Sequence, residues 1–143
     1  MTRYLADTSI WSWANKRERP DITAKLVERV AGDDVVTCVP VALEVLHRAD
    51  STKRYEQLYN DLLDPLDWLA LTEEATWRAM DVQRGLAARS HGAHRRPPID
   101  FLIAAIAELR DDIVLWAFDN DYRVIASFTG QPVELEDSTG PGH

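Results

Sequence analysis

Short apolar runs alternate along this chain with longer amphipathic stretches, and most of the runs end in polar residues. The runs are too short for helices and several are rich in β-branched residues, so they predict strands. These strands cover residues 4–6, 35–39, 66–71 and 113–118, with an edge strand at 133–135. The amphipathic stretches repeat their apolar residues every three or four positions and therefore predict helices. The helices cover residues 10–16, 20–31, 40–49, 51–63, 72–86, 99–110 and 121–126.

Strands that alternate with helices predict an α/β domain with a mainly parallel central sheet of four to five strands and helices on both faces. The 143 residues suffice for one such domain and fall short of two. Residues 1–135 are predicted to form it, and residues 136–143, with the sequence EDSTGPGH, to form a flexible C-terminal tail. Sheets of this kind place their binding sites at the carboxyl ends of the strands. The residues that follow each strand are therefore the first candidates for function.

The composition is that of a soluble protein with a surplus of negative charge. Hydrophobic residues make up 45% of the chain, and 16 basic against 24 acidic residues give a net charge of −8. Such a surface repels nucleic acid unless local positive charge or bound cations offset it. The single cysteine, Cys38, excludes an intramolecular disulfide and is expected to be inert in its strand. No apolar run reaches the length of about 18 residues that a membrane helix needs, and the N-terminus lacks the apolar core of a signal peptide, so we expect a cytoplasmic protein without membrane contact.

Four acidic residues fall at the edge of the predicted sheet where the strands end. Asp7 and Asp119 directly follow two strands, and Glu44 and Asp100 lie in the first turns of helices. Helices in a right-handed β–α–β arrangement run antiparallel to the strands, so their N-termini reach the same edge. Each acid taken alone is explained as a helix cap, a turn residue or a surface residue. Four together are harder to explain, because two carboxylates about 4 Å apart repel by about 4 kcal/mol at an effective dielectric constant near 20.

A divalent cation between these carboxylates would offset the repulsion. The cluster offers only oxygen ligands, without cysteine or adjoining histidine, and such a set suits Mg²⁺ or Mn²⁺ better than Zn²⁺. Ions of this kind lower the pKa of a bound water and stabilise developing negative charge, which is what hydrolysis of a phosphodiester requires. Whether one ion or two would bind stays open at this point.

Four segments around these acids resemble, in order, the acidic signature of PIN-domain proteins, and in particular of the VapC-type toxins of toxin–antitoxin pairs. They read YLADTSIW, PVALEVL, PPIDFLIAAIAEL and LWAFDNDYRVIA, and the resemblance extends to about residue 135. It implies a three-layer α/β/α PIN-like domain in which Asp7, Glu44, Asp100 and Asp119 bind the metal and are catalytic. Asp121 matches the last acid of the fourth segment and would be an auxiliary metal ligand.

The resemblance also implies a function, that of a metal-dependent endoribonuclease which acts as the toxin of a type II toxin–antitoxin system. Such a protein hydrolyses RNA, forms a homodimer and is inhibited by a small VapB-like antitoxin. Thr8 and Ser9 match the hydroxyl-bearing positions beside the first acid and are candidates for substrate binding. Two positions depart from the family: Ala117 replaces a serine or threonine of many relatives, and Tyr122 replaces the commoner phenylalanine, a mild change. The alternative is a PIN-like scaffold that binds RNA or protein without cutting, although such scaffolds usually lose acids that this chain keeps.

Positive charge is concentrated in one predicted loop, residues 90–98, with the sequence SHGAHRRPP. Within it, Arg95 and Arg96 are candidates for guiding an RNA backbone towards the acids. A loop that is only solvated explains the same pattern equally well. Lys53 and Arg54 are interpreted as ordinary surface charges.

The apolar residues add two expectations about surfaces. Trp68, Trp77 and Trp116 are expected to lie in the core. Leu46 and Tyr59, on two neighbouring predicted helices, are expected to be exposed and to receive the antitoxin.

Overall fold

One sheet runs through the computed structural model of this chain, which describes residues 1–14, 16–118 and 120–137. Its strands are β1 (Arg3–Ala6), β2 (Val35–Cys38), β3 (Asp67–Leu69), β4 (Ile113–Ala117) and β5 (Val133–Leu135). All of their pairings are parallel, in the spatial order β3–β2–β1–β4–β5. The predicted α/β class and the parallel sheet are therefore confirmed, with β5 as an edge strand.

Helices fill the connections between the strands. They are α1 (Thr8–Ala14), α2 (Pro20–Ala31), α3 (Val39–His47), α4 (Thr52–Gln57), α5 (Glu73–Arg89), α6 (Pro98–Glu108) and α7 (Asn120–Thr129), and α4 continues as a π-helix, Leu58–Leu63. Both α2 and α3 contact α1, whereas α5, α6 and α7 contact one another. Right-handed crossovers place these two groups on opposite faces of the sheet, which gives the three layers. Among the described residues, no helix combines the length and the apolar character that crossing a membrane requires.

The direction of strand addition reverses beside β1. From β1 the chain moves outward through β2 to β3, and it then crosses over to β4 on the other side of β1. The two central strands are in register from Arg3 opposite Ile113 to Ala6 opposite Trp116. Because the helices that leave the two halves lie on opposite faces, a crevice opens at the carboxyl ends of β1 and β4. This crevice is where the fold places a binding site.

The central strands are anchored in the core. Leu5, Leu115 and Trp116 have almost no exposed surface, and β2 is buried along its whole length. Burial of one large apolar side chain contributes roughly 1.5–3 kcal/mol to the free energy of unfolding. The ends of these strands are therefore held in close-packed surroundings that leave little room for movement.

Two of the three tryptophans predicted in the core are on the surface. Trp116 is buried, but Trp68 is 36% exposed and Trp77 is 62% exposed. Trp68 lies on β3, an edge strand of the sheet. The helix α5 packs through a stripe of alanine, valine and leucine, which leaves Trp77 outside that stripe.

The expectation for Leu46 is also wrong. Its side chain is only 7% exposed, because both Val45 and Leu46 of α3 turn inward. Leu43 of the same helix is the exposed leucine, and Tyr59 is partly exposed as expected.

The last described residues are held against the body of the domain. The Glu136 carboxylate accepts hydrogen bonds from Lys25 Nζ and from Trp116 Nε1, both at 2.7 Å. The backbone carbonyl of Asp137 accepts a hydrogen bond from Arg19. Residues 136 and 137 of the predicted tail thus contact the domain, and the rest of the predicted tail, residues 138–143, lies outside the described residues.

Glu134 ties β5 to α2 and makes stability depend on pH. Burial opposes ionisation of its carboxyl, but Arg29 at 2.8 Å and Lys25 at 3.6 Å outweigh burial and lower the pKa of Glu134 below its usual 4.5. The ionised carboxylate therefore stabilises the folded state fully above pH 4.5, and this contribution is lost as the pH falls through the lower folded pKa. We expect Glu134→Gln to lower the free energy of unfolding at neutral pH by about 0.5–1 kcal/mol, since solvent screens a half-exposed pair. Urea denaturation measures the difference.

The matched control is Glu28→Gln, on the exposed side of α2, which should leave the free energy of unfolding unchanged. If the variant Glu134→Gln stays less stable than the wild type by the same free energy at pH values well below the folded pKa, the ionised carboxylate is not the cause of the difference.

Candidate metal centre

Three of the four predicted acids converge at the crevice. Asp7, Glu44 and Asp100 each place a carboxylate oxygen within 4.8 Å of the other two. Asp7 directly follows β1, Glu44 lies in the second turn of α3, and Asp100 lies in the first turn of α6. Asp7 is 4% exposed and Asp100 is 5% exposed, whereas Glu44 is half-buried. The fourth predicted acid, Asp119, lies outside the residues that the structure describes.

Asp7 is fixed both by its backbone and by its side chain. Its amide donates a hydrogen bond to the Trp116 carbonyl at 2.9 Å, which continues the pairing of β1 with β4. Its Oδ2 accepts a hydrogen bond from the Ser9 amide at 3.1 Å, as a residue that caps a helix does. Asp7 therefore caps α1 and belongs to the carboxylate cluster at the same time.

The two hydroxyl residues beside Asp7 contact other protein groups. Thr8 Oγ1 donates a hydrogen bond to Glu44 Oε1 at 2.9 Å, and this bond orients the Glu44 carboxylate. Ser9 Oγ accepts a hydrogen bond from the Phe118 amide at 3.0 Å, which holds the chain just after β4. Their contact with a substrate stays a prediction, and the structure gives both of them a part in shaping the site.

Tyr122 is a site residue whose importance the sequence analysis missed. Its hydroxyl lies 2.7 Å from Asp7 Oδ1 and 3.1 Å from Asp100 Oδ1, and its side chain is fully buried. Burial and the two neighbouring carboxylates raise the pKa of Tyr122 well above its usual value, so the phenol keeps its proton. One phenolic proton thus lies between two carboxylates, and replacement of the commoner phenylalanine is not a mild change. The indication in the sequence was a tyrosine hydroxyl in the first turn of a helix that starts at the carboxyl edge of the sheet.

Asp121 is not one of the three described acids whose carboxylate oxygens converge, and its part as an auxiliary metal ligand stays a prediction. Its Oδ1 accepts a hydrogen bond from Arg96 Nη1 at 2.7 Å, and Arg96 Nε also donates to the Ala93 carbonyl at 3.2 Å. The ion pair links the basic loop to the start of α7, and Asp121 neutralises much of the positive charge of Arg96. Arg95 is exposed and makes no ion pair with a described residue.

The donor set of the cluster fits a hard divalent cation. All three residues offer carboxylate oxygens, the ligands that Mg²⁺ and Mn²⁺ prefer. Among the residues that the structure describes, neither Asp7 nor Glu44 forms an ion pair with a lysine or arginine. Their negative charge is thus left for a ligand to neutralise.

Cys38 ends β2 near this site but offers no reactive thiolate. Burial raises the pKa of the Cys38 thiol to about 12, and the charge of Asp7 adds to the effect. The thiol therefore stays protonated at neutral pH, in line with the expectation that it is inert.

Comparison with known proteins places this arrangement in a family. Ribonuclease VapC18 of Mycobacterium tuberculosis is 37% identical over 132 residues, which span 92% of this chain and 93% of the relative. Ribonuclease VapC51 of the same organism is 34% identical over 133 residues, 92% of this chain and 91% of the relative. The fold is similar to that of a chain in VapBC2 from Rickettsia felis bound to a DNA fragment from their promoter, with a TM-score of 0.74 at 16% identity over 95% of this chain and 100% of that one. Residues 4–127 match the family model of the PIN domain, and with this coverage the chain belongs to the PIN domain family.

Proposed function

We propose that this protein is a metal-dependent endoribonuclease of the VapC type that acts in the cytoplasm as the toxin of a type II toxin–antitoxin pair. The observation that carries the proposal is the convergence of Asp7, Glu44 and Asp100 at the switch point of a PIN-domain sheet. Ribonuclease VapC18 and ribonuclease VapC51 each align with this chain over more than 90% of their length. A scaffold without catalysis would not need to hold these carboxylates together.

The residues of the site have distinct roles in this proposal. Asp7, Asp100 and Glu44, whose carboxylate Thr8 orients, would hold the cation, and Asp119 is the fourth predicted ligand. When bound, Mg²⁺ or Mn²⁺ would lower the pKa of a water and stabilise the negative charge that builds up on the phosphodiester. The buried walls keep the carboxylates fixed, so that no reorganisation is needed during the reaction.

Asp121 has a supporting part in this proposal. Its pair with Arg96 ties the basic loop to α7, and Arg95 is the arginine of that loop that is exposed for RNA.

The antitoxin would bind beside the carboxylates and present a basic side chain to them. Leu43 on α3 and Tyr59 on the π-helix are exposed apolar contacts for it, in place of the buried Leu46. A solved protein of the same fold belongs to a complex named VapBC2, which supports a partner of this kind. The proposal includes a homodimer, which sedimentation of the purified protein tests.

Cleavage of RNA by the purified protein should require Mn²⁺ or Mg²⁺ and stop when EDTA is added. Asp7→Asn and Asp100→Asn should each abolish cleavage, because an amide is a poor ligand for a hard cation. Asp121→Asn should have a smaller effect, and the matched control is Asp111→Asn, at an exposed position before the start of β4 and therefore at the opposite edge of the sheet. Gel analysis of a labelled RNA gives the rates, and parallel titrations decide between the two metals. Full activity of the Asp100→Asn protein would exclude this mechanism.

Removing one buried carboxylate should stabilise the protein when no metal is present. We expect Asp100→Asn to raise the free energy of unfolding in EDTA by about 1 kcal/mol, since the repulsion with Asp7 disappears. Added Mn²⁺ should raise the melting temperature of the wild type and leave that of the variant almost unchanged. If Asp100 served only as a helix-start charge, the variant would melt lower than the wild type with or without metal.

The hydroxyl of Tyr122 should matter both for stability and for metal binding. Tyr122→Phe removes the donor to two buried carboxylates, so we expect a loss of about 1.5–3 kcal/mol in EDTA. Because groups that orient metal ligands support binding, the affinity for Mn²⁺ should fall by about tenfold or more. Calorimetric unfolding and Mn²⁺ titration measure the two effects, with Tyr59→Phe at a partly exposed position as the control. If neither the free energy of unfolding nor the affinity for Mn²⁺ changes, the hydroxyl contributes to neither property.

A further inference from the structure

A cavity of about 230 Å³ opens beside the carboxylate cluster, between α1, α3 and the π-helix that follows α4. Three basic side chains, Lys16, Arg48 and Arg54, line it, and none of the carboxylates that the structure describes does. We refer to it as the basic cavity. In a chain of net charge −8, such a concentration of positive charge is a local exception.

The charges of the basic cavity are not neutralised within the protein. In the part of the chain that the structure describes, none of the three residues forms an ion pair with an acid. Arg48 donates a hydrogen bond to Ser12 Oγ, which is a neutral acceptor, and Lys16 Nζ lies 4.3 Å from the centre of the Trp13 ring. By contrast, Arg96 of the basic loop is already paired with Asp121.

The basic cavity adjoins the candidate metal centre. Thr8 lines the cavity and also donates a hydrogen bond to Glu44 of the cluster. Arg48 lines both this cavity and a second depression that includes Glu44. A molecule bound at the carboxylates therefore needs to extend only past Thr8 to reach the three cations.

Apart from the three cations and the hydroxyl residues Thr8 and Ser12, the cavity wall is apolar. Trp11, Val45 and Leu58 line it and are each buried in the core. Apolar walls lower the local dielectric constant and so strengthen the attraction between a bound anion and the cations. A guanidinium presents two parallel donors that match the oxygens of a phosphate.

We propose that the basic cavity binds a backbone phosphate of the RNA, next along the strand from the phosphate that is cut. This inference rests on the proposed function and adds to it the path of the strand, from the carboxylates past Thr8 towards Arg48 and Arg54. An acidic segment of a protein partner is the competing occupant. The RNA is favoured because a strand whose scissile phosphate lies at the carboxylates must continue beyond them, and every further nucleotide brings another phosphate.

The test measures binding of a fluorescein-labelled oligouridylate to the metal-free protein in EDTA, so that no RNA is cut. Arg48→Gln combined with Arg54→Gln should weaken binding about tenfold. The slope of log affinity against log salt concentration should decrease by about 0.7 for each phosphate contact that is lost. The single variant Arg54→Lys, which keeps both positive charges, should have most of the affinity of the wild type. Both arginines are exposed, so the double variant should melt at the temperature of the wild type.

Lys53→Gln is the matched control, because Lys53 precedes Arg54 on α4 and is exposed but does not line the cavity. It should bind the oligouridylate as the wild type does. An affinity and a salt slope of the double variant equal to those of Lys53→Gln would overturn the proposal. So would a double variant that loses binding of an oligoglutamate peptide while it keeps its affinity for the oligouridylate, since the cavity would then serve an acidic protein segment.

The experiments distinguish a failure of the phosphate site from a failure of the proposed nuclease activity. If the wild type binds the oligouridylate through the two arginines but does not cut RNA with Mn²⁺, the nuclease fails and the phosphate site stands. If the wild type and the double variant cut RNA with the same KM, the nuclease stands and the phosphate site is overturned. A higher KM of the double variant with an unchanged kcat supports both.

Discussion

The rest of the structure depends on one constraint, which is that two buried carboxylates are held close together. Asp7 and Asp100 are both shielded from water, and like charges in such surroundings repel strongly. They cannot move apart, because Asp7 is joined through its backbone to β4 and Asp100 belongs to the first turn of a helix packed in the core. Stability that the hydrophobic core provides is thus used to maintain an unfavourable arrangement, as is usual where a site is kept for chemistry. The proton of Tyr122 lies where it relieves part of the repulsion.

The placement of opposite charges around Thr8 follows from the same constraint. On one side lie the carboxylates, and on the other lie the three cations of the basic cavity. If these groups were closer, they would neutralise one another, and neither a cation nor an anion would be bound. The threonine hydroxyl, which is uncharged, separates them and at the same time orients Glu44.

Most of the fold and the core of the site could be predicted from the sequence, because both depend on short-range patterns. Apolar runs and helix starts reveal the parallel sheet, and parallel topology alone brings Asp7, Glu44 and Asp100 to one edge. What could not be predicted depends on contacts between distant segments. The pairing of Asp121 with Arg96 needs the exact path of a loop, and the exposure of Trp77 depends on which stripe of α5 faces the core.

The same limit explains the two features that only the structure reveals. Tyr122 differs from phenylalanine by one oxygen, and its importance appears only when two carboxylates from other parts of the chain surround that oxygen. Arg54 is an ordinary surface charge in the sequence, and it shares a cavity with Lys16 and Arg48 only through the packing of α1, α3 and the π-helix.

The central position of β1 has a consequence for synthesis on the ribosome. In space β1 lies between β2 and β4, although β4 is synthesised only after β2 and β3. Trp116, Tyr122 and Asp100, which hold Asp7 or stand beside it, likewise all follow β3 in the chain. A nascent chain that ends before α6 therefore carries Asp7 and Glu44 without Asp100 and Tyr122. The three converging carboxylates can therefore come together only after α6 has been synthesised.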